Sequence, residues 1–219
     1  MREFVIATGR QLILLAPKTN PPSLLADFSR TDISIVDDFL SRQDQEGVLS
    51  YLLEPGWAYG AYSSTAPAAS RYWFKHFAGY FKETRDVRTA VDIEAELMTA
   101  APTVSRVWSL IKSKLAKGHT LSRCYANGYP NGAEGGLHTD SNAPNHHTFI
   151  YYPHFKWDPN YAGETVFFNR DGADIIASIY PRPNRLIAFP GIVPHIARGV
   201  ARCCPELRMT LMFKTELVR

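Results

Sequence analysis

From Leu121 onward the chain breaks into six short runs rich in β-branched and aromatic residues, separated by turn-forming clusters. They are Leu121 to Tyr125, Thr148 to Tyr152, Gly163 to Asn169, Asp174 to Tyr180, Arg185 to Phe189 and Arg208 to Lys214. Strands of this length at regular spacing predict a β-sandwich or barrel. The last run alternates most cleanly: Arg208, Thr210, Met212 and Lys214 share one face, and Met209, Leu211 and Phe213 the other. The apolar side can pack on helices. That turns Arg208 and Thr210 to the opposite face, which in a jelly roll can be the interior, where an arginine is costly unless it meets an anion.

The front half reads as helical. Ser41 followed by Asp44 and Gln45 resembles a helix start, with Val48, Leu49, Leu52 and Leu53 on one face and Pro55-Gly56 as the stop. A second helix is expected over Thr103 to Lys117, with Val104, Trp108, Ile111 and Leu115 as its buried stripe. Lys112, Lys114 and Lys117 suit its C-terminal end, and Gly118 closes it. Between the two, Ser70 to Phe81 is crowded with aromatics. It reads as a segment covering the core, with a sharper alternative in which some rings roof a pocket. Residues Arg2 to Leu15 read as strand, turn, strand, because Gly9, Arg10 and Gln11 interrupt them too much for a membrane span, and no clean cleavage site follows. Pro17 to Ser29 is an irregular lead-in.

At 219 residues the chain is long enough for one large domain, with a helical and variable front part to about 120 and a strand-rich core over about 121–214. A net charge of +3, from 24 basic and 21 acidic residues without a dense basic run, argues against nucleic acid as a partner. Three cysteines (Cys124, Cys203 and Cys204) have no disulfide-framework spacing, so a reducing cytoplasm is the simpler location.

Within the strand-rich part, His138 and Asp140 stand two residues apart, His195 follows much later, and Arg208 lies thirteen residues beyond it. Residues i and i+2 of a strand point the same way, so His138 and Asp140 can grip one metal ion. With a distant histidine they form the set that holds non-haem Fe(II) by one face and leaves the other face open. The spacing alone is weak evidence, since roughly 0.35 His-x-Asp pairs arise by chance with 7 histidines in a chain of this composition. His146, His147 and His154 lie nearby but lack a carboxylate two positions away, and read as loop or rim residues. The glycine-rich stretch Gly128 to Gly136 lacks the Gly-Lys-Ser/Thr ending of a phosphate loop.

Context sharpens the motif. Cys124 to Asp140 is followed by Thr148-Phe149-Ile150-Tyr151-Tyr152, Trp157-Asp158, Ala162-Gly163-Glu164-Thr165-Val166-Phe167-Phe168, Pro181 to Pro190, Val193-Pro194-His195 and Leu207-Arg208-Met209-Thr210. In order and spacing these segments resemble the Fe(II)/2-oxoglutarate-dependent oxygenases, in their prolyl-4-hydroxylase-like branch. The resemblance is dense over about 120–214. Before that only Ile35 to Ser41 shares it, and residues 55–103 carry none of it.

The resemblance implies a mainly β fold with bracing helices (α+β), a double-stranded β-helix or cupin-like jelly roll. It implies His138, Asp140 and His195 as catalytic Fe(II) ligands, and Arg208 with Thr210 as the pair that binds the distal carboxylate of 2-oxoglutarate. Tyr152 corresponds to a tyrosine offered to the same carboxylate, Thr148 to its neighbour on the strand face, and Tyr129 and Tyr125 to residues lining the cosubstrate or substrate space. Arg198 is the alternative to Arg208 if the last strand is registered differently. One departure is Ala162-Gly163, where the branch has Gly-Gly.

The implied activity is hydroxylation of an unactivated C–H bond with 2-oxoglutarate and O2 consumed and succinate and CO2 released. Asp140 favours hydroxylation, because related halogenases carry a small residue there. The unmatched aromatic middle segment favours a small-molecule substrate, an amino acid or natural-product intermediate, over a protein side chain such as proline. Oxidative demethylation of nucleic acids is disfavoured, because that branch carries Arg-x-Asn-x-Thr-x-Arg where this chain reads Arg208-Met209-Thr210-Leu211-Met212-Phe213-Lys214. A metal-free jelly-roll binding module is the non-enzymatic alternative. Composition and spacing leave the oligomeric state open.

Overall fold

A computed structural model of the chain describes residues 27–63, 70–79 and 92–218. The expected strand–turn–strand over 2–15, most of the lead-in before Ser29, and the last two aromatics of the 70–81 segment lie outside the described residues. After β1 (Ser34–Val36), α1 (Arg42–Leu53) begins at Ser41, whose hydroxyl accepts the Asp44 N–H at 3.1 Å and so satisfies one of the unpaired first-turn donors. Val48 and Leu52 are buried as expected, but Leu53 is 69% exposed, because the apolar stripe is narrower than the sequence implied.

Two strands, β2 (Ala58–Ala61) and β3 (Tyr72–Gly79), follow. The aromatic segment both covers and lines: Phe77 joins the core, and Tyr72 and Phe74 face a cavity beside His138 and Asp140. It is a strand paired with the next one, with Tyr72 buried and Trp73 at 38% exposure on the opposite side. A short helix that the sequence did not announce, α2 (Ile93–Ala100), leads into α3 (Pro102–Lys114). Helix α3 buries Val104, Trp108 and Ile111, but it ends three residues before Lys117 and leaves Leu115 at 41% exposure.

The remaining strands are β4 (His119–Tyr129), β5 (His146–Tyr152), β6 (Thr165–Phe168), β7 (Ile175–Ile179), β8 (Arg185–Pro190), β9 (His195–Ala197) and β10 (Arg208–Leu217). A larger antiparallel sheet runs β1-β8-β5-β10-β4-β3-β2, and a smaller one runs β7-β6-β9. The two sheets face each other as a jelly roll braced by helices.

The alternation of β10 positions everything that follows. Met209, Leu211 and Phe213 are buried with Trp108, Val104, Val107, Ile111 and Leu97 of the helices. Met212 on the other face joins Ile150, Tyr152, Phe167 and Phe189 in the space between the sheets. Burying a side chain of this size contributes roughly 1.5–3 kcal/mol, so two apolar layers fix the register of β10 from both sides. A slip of one residue would exchange its faces and put Arg208 among the helices. No helix among the described residues is long and apolar enough to cross a membrane.

Candidate metal centre and the cavities beside it

His138 lies outside the named strands, in an isolated bridge to His195, the first residue of β9. Asp140 is held by its own N–H donating to the Gly191 carbonyl at 2.8 Å. The candidate pair therefore sits on an extended segment bridged at His138 to β9 of the smaller sheet and at Asp140 to the turn after β8, not on a full strand. One nitrogen of each histidine and a carboxylate oxygen of Asp140 all lie within 4.8 Å of one another. His138 Nε2 is 3.5 Å from Asp140 Oδ1, and His195 Nε2 is 3.5 Å from Oδ2. Ligand atoms about 2.1 Å from one ion are themselves roughly 3–3.5 Å apart, so these two separations already suit a shared metal.

The second nitrogen of each ring sets the tautomer. His138 Nδ1 is 2.8 Å from the Gly136 carbonyl, and His195 Nδ1 is 2.9 Å from the Val193 carbonyl. A carbonyl only accepts, so each Nδ1 carries the proton and each Nε2 keeps its lone pair for a metal. Burial, ahead of the surrounding charges, pushes His195 down to about 3, which keeps the ring neutral. Burial also pushes Asp140 up. The Lys214 ammonium, first among the charged neighbours, outweighs it and holds the carboxyl well below the usual carboxylate range. Two imidazoles in the right tautomer and an ionised carboxylate fit a divalent ion.

Two more groups hold Asp140. Thr148 Oγ1 donates to Oδ2 at 2.7 Å, and Lys214 Nζ pairs with the same oxygen while donating to Thr148 Oγ1 at 3.1 Å. The sequence assigns Thr148 to the cosubstrate, but the structure puts it on this carboxylate. Lys214 was visible only as the end of the Arg208 face. His146 and His147 lie in β5 and line the larger cavity rather than a loop, and His154 is buried at 3% exposure rather than at a rim.

Arg208 is 1% exposed, and among the described residues no carboxylate pairs with it. Its Nε donates to the Gly163 carbonyl at 2.5 Å and its Nη2 to Thr165 Oγ1 at 3.1 Å. Of the five N–H donors of a guanidinium, these two bonds leave three. The rings of Tyr129 and Tyr152 flank it, with centroids 5.7 and 5.6 Å away. Tyr152 shares a hydroxyl hydrogen bond with Thr165 at 2.7 Å. Burial raises the pKa of both tyrosines, so both remain neutral phenols able to donate.

A narrow cavity joins Arg208, Thr210, Tyr129 and Tyr125 to His138, Asp140 and His195. Thr165, which the sequence reading passed over, lines it too. Arg198 lies in the turn after β9, where its N–H bonds the Glu164 carbonyl. The Ala162-Gly163 pair also acquires a cause. Ala162 has φ 53° and Gly163 φ 83°, and a Cβ on Gly163 would come within 2.9 Å of Arg208 Cδ. The backbone must approach the arginine this closely to accept its Nε–H, which excludes any side chain at 163.

No family model matches the sequence, and no curated protein matches it. Solved structures do. An oxidoreductase of the 2OG-Fe(II) oxygenase family from Burkholderia pseudomallei superposes with a TM-score of 0.60 at 13% identity, covering 87% of each chain. The fold is that of the 2OG-Fe(II) oxygenases. A Trichoplax adhaerens prolyl hydroxylase, solved with a hypoxia inducible factor peptide fragment, matches with a TM-score of 0.56 at 16% identity over 86% of this chain and 84% of that one. SnoN, a non-haem α-ketoglutarate-dependent epimerase from nogalamycin biosynthesis, matches at 0.54 and 14% identity over 84% and 78%. These neighbours perform different reactions on this oxygenase fold, so the likeness fixes architecture and leaves chemistry to the site.

Proposed function

We propose that the chain is an Fe(II)- and 2-oxoglutarate-dependent dioxygenase. It hydroxylates an unactivated C–H bond of a small molecule, an amino acid or natural-product intermediate, with succinate and CO2 as co-products. One observation carries the reading: His138, Asp140 and His195 converge at one end of a cavity whose other end holds a buried guanidinium with no carboxylate partner among the described residues. A buried charge left unpaired is expensive, and a dicarboxylate reaching from the metal to Arg208 resolves that cost.

In this reading His138, Asp140 and His195 hold the metal, and Arg208 receives the distal carboxylate of 2-oxoglutarate. The bound iron supplies activation of dioxygen coupled to oxidation of the 2-oxo acid. The protein's part is positional. The Nδ1–H bonds keep both imidazoles turned to the metal, and Thr148 and Lys214 hold the carboxylate of Asp140. Arg208 gives charge-assisted bonds, about twice as strong as neutral ones, while Tyr152, Tyr129 and Thr210 complete the anion's surroundings and Tyr125 lines the passage. Only His138 among the metal ligands is more than slightly exposed, at 22% of its side chain, so water reaches the centre from one side.

The larger of the two cavities beside the metal ligands, about 350 Å³, lies near the small end of the range for small-molecule sites. That supports a free metabolite over a peptide such as the fragment bound in the Trichoplax structure. Anaerobic addition of Fe(II) and 2-oxoglutarate should give a weak visible charge-transfer band, and oxygen should then release succinate. Protein that gives neither is a binding module, and the reading is wrong.

A further inference from the structure

The two cavities beside the metal ligands meet at Ser63, Tyr72, Tyr125, Asn127, His138 and Asp140, each of which lines both. A substrate held in the larger space reaches the metal position through this junction. Ser63, Tyr72 and Asn127 have no part in the reading above. Ser63 and Tyr72 come from the stretch 55–103, which carries none of the family resemblance. All three are uncharged and polar, and each is withdrawn from bulk water at 9% exposure or less.

Asn127 on β4 stands between Phe74 of β3 and Thr210 of β10 in the ladder. Among the described residues its carboxamide makes no side-chain hydrogen bond, so two donors and an acceptor border the junction unanswered. Tyr72 stacks on the Tyr129 ring, with centroids 4.3 Å apart. Ser63 Oγ donates to the Tyr72 hydroxyl at 3.2 Å and shares a bond with the Tyr129 hydroxyl at 3.2 Å. Because Tyr72 accepts from Ser63, its own O–H hydrogen remains for a ligand.

A ligand that fills the junction expels its water, and any buried polar group it leaves unmatched weakens binding. A carboxylate, an ester or a ketone only accepts, which leaves the Asn127 carbonyl without a donor. A hydroxyl offers its hydrogen and its lone pairs at a single atom. A planar amide presents an N–H and a C=O side by side, the same spacing that a facing carboxamide offers.

We propose that Asn127 is a specificity-determining residue for a small uncharged amide. The N–H of the amide donates to Asn127 Oδ1, and its carbonyl accepts from Asn127 Nδ2 and from the Tyr72 hydroxyl. Its apolar body lies against Phe74 and Tyr59 in the larger cavity. Ser63 is a positioning residue that turns the Tyr72 O–H towards the ligand. The inference names the substrate class for the oxygenase reading and rests on that reading for its chemistry, but not for its binding site.

Matched phenylacetic and butyric derivatives test it: the primary amides, the N,N-dimethyl amides, the methyl esters and the free acids. Calorimetry on the metal-free protein, and the shift of the charge-transfer band on the anaerobic Fe(II)/2-oxoglutarate protein, should both favour the primary amides by roughly tenfold or more. Asn127→Leu should remove that preference and leave the 2-oxoglutarate needed for the band unchanged, with Asn127→Ala as the second variant if leucine disturbs β4. Tyr72→Phe, which keeps the ring stack, should weaken amides and esters alike. Primary amides that fail to bind, esters or acids that bind as well, or a preference that survives loss of the carboxamide would overturn the proposal. So would a rise in the 2-oxoglutarate requirement of Asn127→Leu, which would hand the carboxamide to the cosubstrate. Amide preference without a band keeps the site and sinks the oxygenase reading. A band without amide preference does the reverse.

Discussion

His138 and His195 face each other across a backbone bridge in which each N–H donates to the other's carbonyl, at 3.1 and 2.9 Å. Their ring centroids stand 4.4 Å apart. Main-chain bonds hold these two candidate metal ligands in register, and the His195 ring also packs on Phe189 and Phe167, with centroids 4.8 and 5.8 Å away. With the backbone bridge intact, truncating either ring should leave the scaffold standing. His138→Ala and His195→Ala should keep the melting temperature within a few degrees of the parent and abolish Co(II) absorption in an anaerobic titration. Unfolding of both variants would show that the rings, not the bridge, hold this corner together.

Arg208 should govern cosubstrate affinity. Removing one partner of a buried charge pair costs roughly 3–5 kcal/mol, so Arg208→Gln should raise the KM for 2-oxoglutarate by about two to three and a half decades. Gly163→Ala reaches the same group from the other side, because its methyl would meet Arg208 at 2.9 Å on a backbone of φ 83°. It should raise the same KM and lower stability together. Unchanged KM values in both would remove Arg208 from the carboxylate role.

Thr148 should act on the metal instead. Its hydroxyl donates to Asp140 Oδ2, and losing such an outer partner typically weakens metal affinity by roughly 10–100-fold. Thr148→Val should show that loss by equilibrium dialysis, while the KM for 2-oxoglutarate at saturating metal stays constant. The opposite pattern would return Thr148 to the cosubstrate, where the sequence reading placed it.

His154 should make stability pH-dependent. Its Nε2 accepts the Met209 N–H at 3.0 Å, and burial, then the Arg208 charge, pushes the ring down to about 4. The unfolded chain takes up this proton from about pH 6.5 downward, whereas the folded chain resists until about pH 4. The contribution is thus complete above pH 6.5 and is lost as pH falls to 4, by roughly 3 kcal/mol. Denaturant titrations across that window should show the loss, and His154→Gln, which can still accept from Met209, should reduce it, leaving the part that the buried His195 contributes.

Ala162 offers a gain. At φ 53° and ψ −139° it occupies backbone space that favours glycine. Ala162→Gly should relieve strain of about 1–3 kcal/mol, less roughly 0.4–1 kcal/mol for the greater freedom of the unfolded chain. A melting temperature that falls would mean that the alanine methyl makes contacts worth more than the strain.

Where one residue's pattern decided its environment, the sequence was legible. The alternation of Arg208 to Lys214 announced both an apolar face under the helices and a buried arginine, and Ser41 announced the start of α1. The aromatic run before Gly79 was harder, because a register shift between His76 and Ala78 breaks the period that marks a strand. Leu53 and Leu115 misled because both sit at helix ends, where the buried stripe gives out. Lys214 and Thr165 stayed hidden for another reason. What each does depends on a neighbour across a sheet or between sheets, and strand order cannot be read from spacing alone.

Strand β10 occupies the middle of the seven-stranded sheet, with three strands on each side. Arg208 and Lys214 thus ride on the element hardest to displace, because its backbone is paired on both sides. The cavity walls that lie nearer the edge come from β2, β3 and the turn at Gly191. Variation there can alter what is admitted while the two anchored cations stay in place.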